Sequence, residues 1–179
     1  DVVVQPQDAP GAAPLALGFV DGRCKLVMSL RGNPEAQRQI DALDPELRAP
    51  ALGLMAAHEM GHCRRYLDGA WHGLPAGFAA PKAPASLSPA LQQAWLDMRS
   101  TRREEAYGDL VGLAWAREQH PALYARLHAW LVAERASDGL PGSHHDTLPW
   151  LTRAANPAAL AGPSVFESAE RLWRQGLAD

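Results

Sequence analysis

The sequence predicts an α+β fold, mainly helical, with a small β-hairpin or sheet at its N-terminal end, and three features point to it. The first is LALGFVDGRCKLVMSL, where two β-favouring runs flank Asp21-Gly22, a pair that marks a hairpin turn. The second is a set of proline-led helix starts, at Asn33-Pro34, Asp44-Pro45 and Ser88-Pro89, with proline at the first helical position behind a polar residue. The third is helical spacing of apolar residues in the second half, as in Tyr107, Leu110, Val111 and Ala114. With 179 residues, 47% of them hydrophobic, the chain is long enough for one real core, and residues 1–179 are read as a single domain.

In chain order, the hairpin comes first, and its strand around residues 25–30 is expected at the edge of the sheet. Asn33 should cap the helix in RGNPEAQRQIDAL. Pro50 is expected to mark the true start of the next helix, because a proline inside one costs about 3 kcal/mol. The small residues of APALGLMAA suit a helix buried in the core. Residues 68–87 are rich in Gly, Ala and Pro and read as a long irregular loop. Ser88-Pro89 opens the longest helix, which His120-Pro121 breaks and restarts as ALYARLHAWLVAERA. SDGLPGSHHDTLP is a second loop, and a closing helix follows over about residues 163–177.

A net charge of −3, with both signs mixed along the chain and no polybasic tract, argues against nucleic acid or an anionic membrane surface as partner. No apolar run approaches the ~20 residues of a membrane span. The opening DVVVQPQDAPGAAP lacks an initiator Met and a basic-then-apolar leader, so a removed signal peptide and a periplasmic or secreted protein are expected. Cys24 and Cys63 leave two readings open: a bridge from strand to helix in an oxidising compartment, or two buried reduced thiols.

The chemistry concentrates in LMAAHEMGHCRRYL. His58 and His62 stand four residues apart, on one helix face, so both imidazoles can point at one ion. A catalytic zinc takes three such protein ligands and keeps an open position for water, with a nearby carboxylate to take that water's proton. Glu59 stands where that base is expected. For the third ligand, EEAYGDLVGLAWA offers Glu105, with Asp109 one turn on, able to reach a ligand histidine from behind and fix its tautomer. Glu104 is one rival for the third position; the other is Cys24, because GRCKLVMS loosely resembles the cysteine segment of the peptide deformylases, which combine HExxH with an upstream cysteine ligand. Glu104 points about 100° away from Glu105 and sits in the charge run RREE.

HEMGH followed by a downstream E-x-x-x-D helix resembles the gluzincin metallopeptidases. EAYGDLVGL is similar to the E-x-x-A-D-x-x-G-L segment of the CAAX prenyl protease and stress-protease family, which has soluble periplasmic members. The resemblance implies a zincin-like domain with one Zn2+ per chain held by His58, His62 and Glu105. It further implies Glu59 as general base, Asp109 as support for His58, and a protein or peptide substrate for a zinc-dependent endopeptidase. Where that family carries Ser-His-Pro, this chain has Ser143-His144-His145.

His144 and His145 form the other cluster with Asp146. One of them is a candidate donor to the oxyanion of a tetrahedral intermediate, against the plainer reading of a polar loop with Asp146 or Thr147 as helix cap. Tyr66, Tyr107 and Tyr124 read as core residues, as do His72, His120 and His128 as structural histidines. Trp71 and Phe78 either line a substrate pocket or pin the long loop. Two other functions remain: a catalytically idle zinc-binding chaperone or adaptor, and a metal-free helical interaction domain.

Overall fold

In the computed structural model, residues 2–4, 15–29, 33–137 and 140–177 are described. Asp21 and Gly22 both take positive φ, 52° and 70°, which closes the two-residue turn predicted between the strands. Strands β2 (Leu15–Val20) and β3 (Arg23–Met28) pair antiparallel across it, Leu15 opposite Met28 and Val20 opposite Arg23. β1 (Val2–Val4) adds in parallel on the far side, Val2 opposite Leu26, giving the order β1-β3-β2. The strand containing residues 25–28 is therefore central, and the expectation of an edge strand there is corrected: the N-terminal segment occupies its outer side, and β2 is the edge. Leu30, the end of that expected strand, lies outside the described residues.

Six α-helices follow among the described residues: α1 (Pro34–Asp41), α2 (Pro45–Leu67), α3 (Pro89–Gln119), α4 (Tyr124–Ser137), α5 (Leu148–Arg153) and α6 (Val165–Gln175). The α+β, mainly helical class is thus the one observed. Asn33 caps α1 as expected, its Oδ1 accepting from the Ala36 N–H at 3.1 Å. Pro50 does not start α2, which begins at Pro45 and runs through it. Leu47, Pro50 and Ala51 are all buried, so core packing on both sides of the proline carries the helix across the missing hydrogen bond.

α2 and α3 form the central pair, and glycine sets how close they come. A Cβ on Gly61 would lie 3.2 Å from the Gly108 Cα, and one on Gly112 2.8 Å from the Leu54 carbonyl oxygen. The core packs beyond this seam, with Leu110, Leu113, Leu127, Leu151, Leu160 and Trp173 fully out of solvent. Cys24 and Cys63 are joined, tying β3 to α2 one residue past His62. No helix among the described residues is long and apolar enough to cross a membrane.

Candidate metal centre

The α2–α3 seam brings the separate motifs together. His58 and His62, one turn apart on α2, face Glu105 of α3: His58 Nε2 is 3.4 Å from Oε2, and His62 Nε2 is 3.5 Å from Oε1. These separations are long for hydrogen bonds, but ligand atoms around a tetrahedral ion with bonds of ~2.0–2.1 Å stand ~3.3–3.4 Å apart. All three donor atoms lie within 4.8 Å of one another, so the group can hold a metal ion. Both histidines are buried, and Glu105 is 15% exposed, which leaves one side open to solvent.

Asp109 stands behind His58. Its carboxylate is wholly buried and accepts from His58 Nδ1 at 2.9 Å, from Arg135 Nε at 2.9 Å and Nη2 at 2.6 Å, and from the Thr147 hydroxyl at 2.6 Å. An ionised carboxylate only accepts, so Nδ1 of His58 carries the proton and Nε2 is the atom turned to Glu105. Among the described residues Nδ1 of His62 is buried with no hydrogen-bond partner, and none of them fixes its tautomer as Asp109 does for His58.

Without an ion, the cluster is electrostatically self-consistent. Burial disfavours the imidazolium of His58, but hydrogen bonds to Asp109 and Glu105 outweigh it and raise its pKa to about 10. Burial likewise opposes ionisation of Glu105, and the facing imidazoles of His58 and His62 overcome it, holding the carboxyl well below the usual range. For Asp109, burial is outweighed by the Arg135 guanidinium and by His58, again in the downward direction.

Glu59, the residue after His58, is half-buried and lines the cleft that opens onto the cluster, a cavity of about 510 Å³. It makes no ion pair among the described residues. His145 also lines this cleft, its Nε2 3.7 Å from Glu105 Oε2. His144 does not line it; its ring lies against that of His145, centroids 4.0 Å apart. The loop that carries both is held by Arg102, which donates to the Asp146 carbonyl and lies 3.1 Å from its Oδ2. Thr147 stands at the cap position before α5, yet its hydroxyl serves Asp109 rather than capping the helix.

The rivals for the third position lie elsewhere. Glu104 is buried, not part of a solvated run: both its oxygens take Arg65 at 2.9 Å, and Oε1 also accepts the His72 N–H at 2.8 Å. Cys24 is committed to its disulfide. Tyr107 and Tyr124 are in the core as expected, whereas Tyr66 is half-buried and lines the cleft. Trp71 does both things proposed for it, lining the cleft while stacking at 4.2 Å on Tyr66, which also stacks on Phe19. His120 ends α3 and His128 reaches the Leu151 carbonyl at 2.8 Å, both structural positions.

Sequence reasoning missed Arg135. A basic residue in the last turn of a helix is common because it complements the helix dipole, so nothing in VAERAS marks it as the partner of a buried carboxylate. Gly108 was equally silent, though a Cβ there would lie 2.8 Å from Cε1 of His58. Overpacking of that kind costs about 1–3 kcal/mol, against the ~1 kcal/mol alanine gains in helix propensity. Gly108→Ala is therefore expected to lower stability and to weaken metal binding by displacing the His58 ring. Urea midpoint and metal titration check this, and unchanged values in both would mean the ring has room to move.

Comparison of the chain with protein-family models, with curated proteins and with solved structures finds no match.

Proposed function

We propose that the protein is a zinc-dependent endopeptidase of gluzincin type, acting on protein or peptide substrates. The observation that carries this reading is the convergence of His58, His62 and Glu105 from two helices, with Glu59, which makes no ion pair among the described residues, beside them in an open cleft. Two imidazoles and a carboxylate are a donor set that suits zinc, and three ligands leave a position for the reacting molecule. Zinc held there would supply Lewis acidity, bringing the pKa of a water towards ~7.

The remaining steps belong to the chain's own residues. Glu59 accepts the proton of the attacking water and later delivers it to the leaving amine. His145, at the rim of the cluster, donates to the oxygen of the scissile carbonyl as charge builds there. Asp109 keeps His58 in one tautomer throughout. The outer edge of β2, unpaired among the described residues and with Leu15, Ala16 and Leu17 lining the cleft, supports an extended substrate bound by backbone pairing. The Cys24–Cys63 bridge supports a periplasmic or secreted setting.

The test is metal content together with hydrolysis. Purified without added metal, the wild type is expected to carry about one zinc per chain and to cleave unfolded protein substrates, and Glu105→Ala to lose both. Chelation should abolish cleavage and zinc should restore it. Bound zinc with no cleavage of any substrate would favour the idle binding protein, and no zinc in either protein would remove the metal reading altogether.

A further inference from the structure

A second cavity, of about 320 Å³, lies towards the N-terminal part of α3, and three guanidinium groups line it: Arg99, Arg102 and Arg103. Their spacing of three and four residues puts them on one helix face, where like charges repel unless something neutralises them. The nearby carboxylates do so only in part, Glu104 acting on Arg103 through space. Both oxygens of Glu104 are taken by Arg65 and the His72 N–H. Asp146 is taken by Arg102. Arg103 has only the Ser100 hydroxyl, at 3.1 Å, and no ion pair among the described residues.

Arg99 is in a less favourable position still. Its guanidinium lies over the Trp95 ring at 4.9 Å, and its Nε is buried with no hydrogen-bond partner among the described residues. A buried charged donor without an acceptor is costly in a folded protein unless a ligand or water completes it. Burial, with the Arg99 charge beside it, outweighs the attraction of Glu104 and pushes Arg103 below its ordinary pKa. The other walls are apolar, with Leu74 and Pro81 from the segment after α2 and Leu177 following α6. A fork of guanidiniums on one side and hydrocarbon on the other fits a planar or tetrahedral oxyanion carried on a compact apolar group.

We propose that this cavity is a binding site for a small organic oxyanion, a carboxylate or a phosphate ester on an apolar body, held by Arg99 and Arg103. The site is independent of the metal centre and of the peptidase reading. Arg102 flanks it but is already engaged with the loop that carries His145. Nothing in the function of the 510 Å³ cleft requires Arg99 or Arg103, and neither lines it.

Isothermal titration of the full chain with four probes tests this: N-acetyl-leucine, phenyl phosphate, inorganic phosphate, and the neutral N-acetyl-leucinamide. One of the two organic anions is expected to bind, and the tighter of them assigns the headgroup. The amide and inorganic phosphate should each bind about tenfold more weakly or worse, the first for want of charge and the second for want of an apolar body. Arg99→Gln and Arg103→Gln should each weaken the organic anion about tenfold while leaving circular dichroism unchanged. Both relieve repulsion among cations, and the Arg103 backbone carbonyl that accepts from Trp173 is untouched. No binding by either organic anion, equal binding of the amide, or wild-type affinity in both variants would overturn the site. Inorganic phosphate binding as tightly as the organic anions would overturn the apolar half of it.

Discussion

Glu59→Gln is expected to keep about one zinc per chain and a wild-type fold while lowering peptide hydrolysis by about 10²–10⁴-fold, the range a positioned general base contributes. The separation between metal and rate follows from where Glu59 stands. It is not one of the three groups that converge on the ion site. It makes no ion pair among the described residues, so its neutral isostere leaves no charge unpaired. Glutamine keeps the shape and the hydrogen-bonding capacity but cannot take a proton from water. Glu134 is the control, because it also lines the cleft yet is exposed and lies on α4. Its change to Gln should alter the rate little. If the two variants exchange behaviour, the base is Glu134 and the reading of HEMGH as a self-contained unit is wrong.

The candidate site was legible where its chemistry lies within one helix turn. His58, Glu59 and His62 are bound together by the four-residue repeat, whatever the rest of the chain does. Glu105 was separable from Glu104 because only Glu105 has an aspartate one turn on, and the structure puts Glu104 in a buried pair with Arg65 instead. What could not be read were properties of two elements at once. The order of the sheet depends on where residues 2–4 dock, and nothing in VVV says which side of β3 they take. Pro50 breaks a helix on local grounds and is carried through by the burial of Leu47 and Ala51 on either side. Arg135 and Thr147 meet at Asp109 from segments that share no spacing with it. Gly108 and Gly112 look like helix weaknesses in isolation, and only the approach of α2 gives them a reason.

Asp109→Ala should be the most damaging single change to stability, at about 3–5 kcal/mol, because it removes one side of a buried charged network and leaves the other in place. Arg135 has a side chain only 13% exposed, and it would keep its charge without the carboxylate that accepts two of its N–H groups. The Thr147 hydroxyl and His58 Nδ1 would lose their acceptor at the same time. Glu105 already lies 3.6 Å from Nη2 of Arg135, so the guanidinium, having lost Asp109, would compete with the metal for a ligand oxygen. Zinc affinity is therefore expected to fall by about 10–100-fold in addition to the stability loss. Chemical denaturation of the metal-free protein separates the two effects, and a loss below about 1 kcal/mol there would mean that the network contributes little to the fold. The pH dependence carries a further sign. Since Asp109 titrates below its ordinary value in the folded protein, its contribution is complete above about pH 4–5 and is lost as pH falls towards the depressed folded pKa. His58 has the opposite sense in the metal-free protein: its contribution is complete below about pH 6.5 and is lost as pH rises through about 10. The stability gap between wild type and Asp109→Ala should then be widest in the interval between these limits and close towards strong acid, because protonated Asp109 no longer holds either His58 or Arg135 as an ion pair.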